Sequence, residues 1–299
     1  MGKNKASGSD RFESFYRELF AKRWDALKES LLQKKEYVAV INPFYQDLSF
    51  EEIESKFQAR RFDKIVDFFC LQKESWEKPQ ADKNGLYSYY LLDPASIFPV
   101  VALELQESDK VLDMCAAPGG KSFLIGQKLT TGELISNDRS TPRKKRLEKV
   151  FKDYFPENYL KRFKTTNFDG GRWCLYEKEV FDKVLLDAPC SSERHVLESK
   201  EHLEKWKESR VKMLSKNQFT LLASAFEVLK EGGRLVYSTC ALSSQENDDV
   251  IEKLLKKREG RVRVIESPLI VGEKTQYGVH ILPDKTNLGP IYYAVIEKC

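Results

Sequence analysis

Two cysteines of this 299-residue chain stand where they could do chemistry. Cys190 closes the run KVLLDAPC, three residues after Asp187, and Cys240 closes RLVYSTC. Each follows a short apolar run of the kind that forms a buried strand. In an open α/β sheet ligands gather beyond the carboxyl ends of the strands, so both thiols fall at that edge. A thiol attacks only as its thiolate, which calls for a lowered pKa. Taken singly, either one reads equally well as a buried structural cysteine. A third stretch, KVLDMCAAPGGK at 110–121, reads as strand, tight turn and helix. Gly119 and Gly120 let the backbone pass close to a ligand, and a helix N-terminus turns N–H groups toward it. The pattern is neither GxGxxG nor a P-loop, because GGKS lacks the upstream glycine.

An alternating chain is needed to bring these stretches to one edge. Strand-like runs at 110–114, 133–137 (ELISN), 162–167 (RFKTTN), 183–187 (KVLLD) and 234–239 alternate with helical patterns. Among the latter are a basic helix from Pro142 to about Phe155, one through Ala223–Leu229, and one over 244–257. Two late strands follow at 262–265 and 291–297. Such alternation predicts a mostly parallel sheet with helices on both faces. Residues 11–80 read as helical, with Phe15, Leu19, Phe20, Trp24, Leu27 and Leu31 in one stripe and Ser49 capping a second helix. The polar, Pro- and Gly-containing stretch 78–85 reads as a linker, giving an N-terminal part at 1–86 and a catalytic domain at 87–299.

Carboxylates mark the strand ends: Asp113, then Asp138 after ELISN, Asp169 in NFDG, and Asp187. An acid after the second strand is placed to take both hydroxyls of a ribose. Asp169 is placed to meet an adenine amino group. Any one of them alone reads equally well as a turn or cap residue. With no phosphate-gripping loop, a ligand with ribose and adenine but no pyrophosphate fits best, and S-adenosyl-L-methionine is that ligand. A methyl donor beside two cysteines suggests methylation of an unreactive pyrimidine carbon. C5 of cytosine becomes nucleophilic only after a thiolate adds to C6.

The stretches DMCAAPGGK, DAPCSSERH and YSTCALSSQEN resemble, in order and spacing, the motifs of the Sun-domain (Fmu/Nol/Nop/Sun) RNA cytosine-5 methyltransferases. The resemblance covers about 88–299. ELFAKRWDALKESLLQKKEYVAVINPF and the closing GPIYYAVIEK are similar to the short subgroup with the mitochondrial ribosomal-RNA and tRNA members. That subgroup also accounts for Ser191-Ser192-Glu193-Arg194-His195, where most of the family has SG after the first cysteine. It implies an α/β, Rossmann-like, seven-stranded S-adenosylmethionine-dependent methyltransferase with a small helical N-terminal part. It implies that Cys240 attacks C6, Cys190 assists release, and Asp187 holds and polarises the cytosine ring beside the Pro189 backbone. Cys115, Ala116, Ala117, Pro118, Gly119, Gly120, Lys121, Asp138, Arg143, Asp169 and Asp187 would line the cofactor site. DNA enzymes of similar chemistry attack from the first cysteine and need no second, so the pair favours RNA.

Ribosomal RNA is the expected substrate and tRNA the alternative. A catalytically silent RNA-binding assembly factor is the reading from another class, against which Cys190, Cys240 and Asp187 weigh. A target cytosine must be unpaired or flipped to present C6. Its backbone has two candidate supports: Arg139 with Arg143, Lys144, Lys145, Arg146 and Lys149, and Lys200, Lys205, Lys207, Arg210, Lys212 and Lys216 with Trp206 among them. Interleaved acids make a solvated helix face an equal reading. Arg60, Arg61 and Lys64 form a third cluster, read first as a solvated face. Ser243 and Glu246 have capping-box spacing. Six cysteines without a CxxC pair argue against zinc, and no apolar run approaches the roughly 18 residues of a membrane span. A monomer is expected, with a targeting protein partner left open. MGKNKASGSD has neither a signal core nor transit-peptide character, so the expected compartment is the cytoplasm, with the mitochondrion as alternative.

Overall fold

The structure, a computed structural model, describes residues 7–62, 68–267 and 271–299. Lys64 and the first six residues lie outside these. Helix α1 (Gly8–Phe20) starts at a capping box in which Ser7 and Asp10 satisfy each other's backbone N–H. A 3-10 turn (Ala21–Arg23) leads to α2 (Trp24–Leu32). The apolar stripe is real but shifted: Phe12, Tyr16, Trp24, Leu27 and Leu31 are buried, while Leu19 is exposed. It packs on Val196, Trp206, Val211 and Leu242 of the catalytic part.

Beyond α2 the helical expectation fails. β1 (Val38–Ile41), α3 (Phe50–Phe57), β2 (Arg60–Arg61), β3 (Cys70–Gln72) and β4 (Tyr89–Leu92) follow, with Ser49 capping α3 as expected. The strands form an antiparallel sheet in the order β2-β3-β1-β4. Strand β1 carried no alternating signal because both its faces are covered. Ala39 and Ile41 pack with Ile53, Phe57 and Tyr89. Val38 and Val40 join the large core around Phe98 and Phe123. The stretch at 78–85 is an ordered turn, since the buried Asp82 carboxylate accepts N–H bonds from Gln46, Asn84 and Leu86.

A 3-10 turn (Pro94–Ile97) and α4 (Phe98–Val101) enter the large sheet. Its parallel part is built from β5 (Lys110–Asp113), α5 (Gly120–Lys128), β6 (Glu133–Asn137), α6 (Thr141–Tyr154), α7 (Glu157–Leu160), β7 (Phe163–Thr166) and β8 (Phe181–Asp187). Helices α8 (Glu193–Glu198), α9 (Lys200–Glu204) and α10 (Glu208–Val228) precede β9 (Leu229–Thr239). The remainder is α11 (Asp248–Lys257), β10 (Val262–Ile265), β11 (Glu273–Lys274), β12 (Val279–Ile281), α12 (Pro283–Thr286) and β13 (Ile291–Lys298). The order is β11-β12-β13-β9-β8-β5-β6-β7, with β10 also on β13. Among the described residues nine strands therefore stand where seven were expected. The surplus lies at the far edge, where β10 and β12 share one side of β13 and β11 adds a two-residue strand. From β7 to β9 the pairing is parallel, and β13 runs antiparallel to β9. Strand β5 lies between β6 and β8, so the order reverses there and a crevice opens beyond its carboxyl end.

Candidate active site

Strand β8 delivers Asp187 to the rim of that crevice, and its neighbour β9 delivers Ser238. The Ser238 hydroxyl donates to one Asp187 oxygen at 2.8 Å, and the Lys121 ammonium, from the first turn of α5, donates to the other at 2.8 Å. Burial alone would pull the Lys121 pKa down, but Asp187 and Asp113 carry it above its usual range. Just past the strand ends, the sulfurs of Cys190 and Cys240 lie 2.7 Å apart, both as free thiols. The Ser192 hydroxyl sits 3.2 Å from Cys240 and 3.5 Å from Cys190. The hydrogen bond between the thiols splits their ionisation. It pushes Cys190 well above the thiol range and, together with Ser192, lowers Cys240 despite its burial. Cys240 is thus the better thiolate and Cys190 the proton holder. Both line a cavity of about 630 Å³ together with Asp187, Lys121, Cys115 and His195.

Two carboxylates hold the thiols in register. Glu193, on the Cys190 loop, accepts the Leu242 N–H of the Cys240 loop at 3.2 Å. Glu246, on the Cys240 loop, accepts the Ser191 N–H of the Cys190 loop at 3.0 Å. Each loop thus anchors the other. Glu193 also receives the hydroxyls of Ser191 and of Tyr16 in α1, and Glu246 receives the Gln218 amide of α10 at 2.8 Å. Burial raises both carboxyl pKa values, that of Glu246 to about 7. This corrects the capping-box reading. Ser243 receives the Gln245 N–H, and the Glu246 side chain turns to the cysteine loop instead.

On the other side of β5 lies the loop expected to hold the cofactor. Cys115, Ala116, Ala117, Pro118, Gly120 and Lys121 line a smaller cavity of about 210 Å³ with Asp113 and Asp187, and it shares Cys115, Lys121 and Asp187 with the catalytic cavity. Gly119 has φ 122°, a conformation that side chains other than glycine's seldom take. Asp113 is fully buried, with one oxygen bonded to Ser122 at 2.7 Å and the other without a partner among the described residues, and burial lifts its pKa to about 7. A buried, half-satisfied carboxylate facing a main-chain turn suits a ligand that carries an ammonium or hydroxyl group, so these residues fit S-adenosylmethionine.

Asp138 and Asp169 do not line this cavity. Asp138 is buried, accepts the Ser140 N–H at 2.8 Å and pairs with Arg143 at 3.3 Å, while Arg143 also donates to the Ala117 carbonyl. Arg143 therefore bridges the glycine loop to the β6 carboxylate. Asp169 receives the Gly171 N–H at 3.2 Å and lies 3.8 Å from Arg139. The two basic helical stretches are partly self-paired, through Lys144–Glu148, Lys149–Asp153, Lys205–Glu201 and Lys212–Glu208, while Lys145, Arg146, Lys200, Lys207, Arg210 and Lys216 make no ion pair among the described residues. Trp206 is buried among Phe12, Phe15 and Tyr16, so it offers no platform for a base. Sequence reasoning missed Glu193, Ser192, Gln218 and Tyr16. Glu193 lay within the motif and could have been found there, whereas Tyr16 reaches the site from 177 residues away.

The family described as 16S rRNA methyltransferase RsmB/F matches residues 100–297. A mouse protein, 5-cytosine rRNA methyltransferase NSUN4, is 30% identical over 96% of this chain and 87% of its own. The mouse mitochondrial tRNA (cytosine(34)-C(5))-methyltransferase is 30% identical over 97% and 89%. The crystal structure of NSun6 from Pyrococcus horikoshii superposes with a TM-score of 0.79, 20% identity and coverage of 96% and 97%, a likeness of fold. The expectation of a cytoplasmic protein is overturned, because the relatives that span the chain include one named as mitochondrial. The chain belongs to the RsmB/F family and is an S-adenosyl-L-methionine-dependent RNA (cytosine-5) methyltransferase.

Proposed function

We propose that this enzyme methylates C5 of a cytosine in ribosomal RNA through a covalent bond between Cys240 and C6. The observation that carries the mechanism is the pair of free thiols 2.7 Å apart on one cavity, with the Ser192 hydroxyl 3.2 Å from Cys240 to favour its thiolate. The Cys240 thiolate adds to C6 of the unpaired base. The charge that builds on the ring is met by the Asp187–Lys121 pair, a carboxylate to accept the exocyclic amino group and an ammonium to stabilise the anion. S-adenosylmethionine, when bound along the 115–121 loop, supplies the electrophilic methyl group. Elimination then needs a base. Cys190, whose S–H loses its partner when Cys240 becomes a thioether, passes its proton to solvent, and its thiolate takes the C5 proton. The C5–H electron pair forms the C5=C6 bond, the C6–S bond breaks and its pair returns to Cys240 as thiolate. Cys190 therefore assists release as the base of the elimination, and its regenerated S–H again donates to Cys240. Ribosomal RNA is favoured by the family description and the NSUN4 relative, and the tRNA relative supplies the second reading.

The test is a denaturing gel of Cys190→Ala with S-adenosylmethionine and small-subunit ribosomal RNA, beside the Cys190→Ala/Cys240→Ala double variant. A slow, RNase-sensitive protein band in the single variant only is expected. A band with tRNA alone moves the substrate to tRNA. No band with either RNA, while cofactor binding persists, overturns the two-cysteine mechanism.

A further inference from the structure

A second cavity, of about 820 Å³, opens beside the catalytic one and shares Lys35, Asp93 and Arg194 with it. Its cations come from three separate places, the segment after α2 (Lys34, Lys35), the edge strand β2 (Arg60, Arg61) and Arg194 of α8, and the segment 283–289 helps to close it. Five cations face two acids, Glu36 and Asp93. Both acids are engaged. Asp93 caps the following turn through the Ala95 N–H at 2.9 Å and pairs with Lys35 at 2.6 Å, and Glu36 accepts from Gln72 at 2.8 Å.

The remaining positive charge is poorly compensated. Arg60 and Lys34 make no ion pair among the described residues, and Arg61 meets Glu54 only at 3.4 Å. The Arg194 guanidinium donates to the carbonyls of Gln33 and Gly289, each at 3.1 Å, which orients it without neutralising it. Lysines or arginines on an edge strand often serve only to discourage strand pairing. That reading does not explain why these two arginines share a concave wall with Lys34 and Arg194. They differ from Lys144, Lys149 and Lys212, each of which pairs with an acid one turn away on its own helix. Next to Lys35 in sequence, Tyr37 is 44% exposed and lines the catalytic and cofactor cavities, an aromatic face on which a base can stack.

We propose that this cavity binds the RNA strand flanking the target cytosine. The phosphates lie on Arg60, Arg61, Lys34 and Arg194, and the base next to the target lies on Tyr37. Resting on the RNA cytosine reading above, the inference gives that reading its docking surface. A base withdrawn from its stack leaves its neighbours to be held by the enzyme. Guanidinium groups grip phosphates in a bidentate manner and make binding salt-dependent. The volume also suits, lying within the roughly 300–1,000 Å³ of sites that enclose an organic ligand.

The test compares wild type with Arg60→Glu/Arg61→Glu and with the milder Arg60→Ala/Arg61→Ala, each shown to be folded by its melting curve. RNA affinity by filter binding and methyl transfer are measured on fragments of increasing length around one methylated cytosine, at two salt concentrations. The expected result is a KM for long RNA raised roughly tenfold or more, a shallower salt dependence and an unchanged affinity for S-adenosylmethionine. The advantage of long over short fragments disappears. Unchanged RNA affinity and salt dependence in the folded Glu variant overturn the proposal. A wild type that binds RNA through these arginines yet transfers no methyl group retains the docking site and sinks the cytosine reading, so the two failures are separable.

Discussion

The two halves of the rim are built by different means. On the cofactor side, β5, its loop, α5 and β6 hold one another through short-range bonds. Ser122 links Asp113 to Ser136, the Asn137 amide ties the Met114 and Phe168 carbonyls, and Arg143 closes Asp138 onto Ala117. On the cysteine side, two loops from β8 and β9 carry reciprocal carboxylates, and one of these is fixed by Tyr16 from the opposite end of the chain. A diffusible ligand can settle into a preformed local cradle. Two thiols that must share one proton need their loops locked in register, and neither loop can supply that alone. The N-terminal helices are thus part of what sets the thiol spacing.

The sharpest way to separate the halves is Cys240→Ser. Methyl transfer is expected to fall by roughly 10³-fold or more, the scale of a lost nucleophile, with the Kd for S-adenosylmethionine by calorimetry unchanged. A matching loss of cofactor affinity would show that the halves are not independent. Asp138→Asn is the reciprocal change. It removes the charge of a buried carboxylate that pairs with the half-exposed Arg143 and is expected to weaken cofactor binding by about 10- to 100-fold, while adduct formation with RNA, followed in a Cys190→Ala background, keeps its rate.

Tyr16→Phe probes the long reach. It deletes one oxygen and leaves the buried Glu193 short of a donor, at a cost of about 1–3 kcal/mol in chemical denaturation. The rate of adduct formation is expected to drop with it, and cofactor affinity is not. Should the adduct rate hold while stability falls, α1 would be a brace for the fold and nothing more.

This difference also decides what was legible in the sequence. The cofactor side could be read because its determinants are contiguous: the glycine turn fixes the loop, and the carboxylates fall at strand ends that periodicity reveals. Asp138 and Arg143 were nameable, though their mutual pairing was not. The cysteines were visible as strand-end residues. The clamp was not, because Glu246 stands at a spacing that also fits a helix cap, and only the fold shows its carboxylate 3.0 Å from the Ser191 N–H. The N-terminal sheet escaped for a different reason. Val38–Ile41 is covered on both faces and β2 has two residues, so neither presents a period-two pattern. Basic residues were counted correctly but could not be ranked. The fold ranks them by shape, since the arginines of β2 share a concave wall with Lys34 and Arg194, while Lys144, Lys149 and Lys212 pair along their own helices.

Each half contains one buried carboxyl whose pKa stands at about 7: Asp113 on the cofactor side and Glu246 on the cysteine side. Burial is the main cause in both, and the charge of Glu193 adds to it at Glu246. In the unfolded chain these groups titrate near 4. Between about pH 4 and pH 7 the folded chain therefore holds protons that the unfolded chain has released. Their stabilising contribution is complete below the unfolded pKa and is lost as pH rises through the folded one. Urea denaturation is expected to show stability declining across that window, by on the order of 4 kcal/mol for each group at most. Glu246→Gln mimics the protonated state. Its amide oxygen can keep the Ser191 and Gln218 bonds, and its nitrogen takes the place of the carboxyl oxygen that has no partner. The variant should lose part of the pH slope and Asp113→Asn another part, the remainder staying with Glu193, whose carboxyl burial also raises. If either single variant removed the whole slope, one half of the rim would govern the ionisation of the other, and the division drawn between them would be wrong.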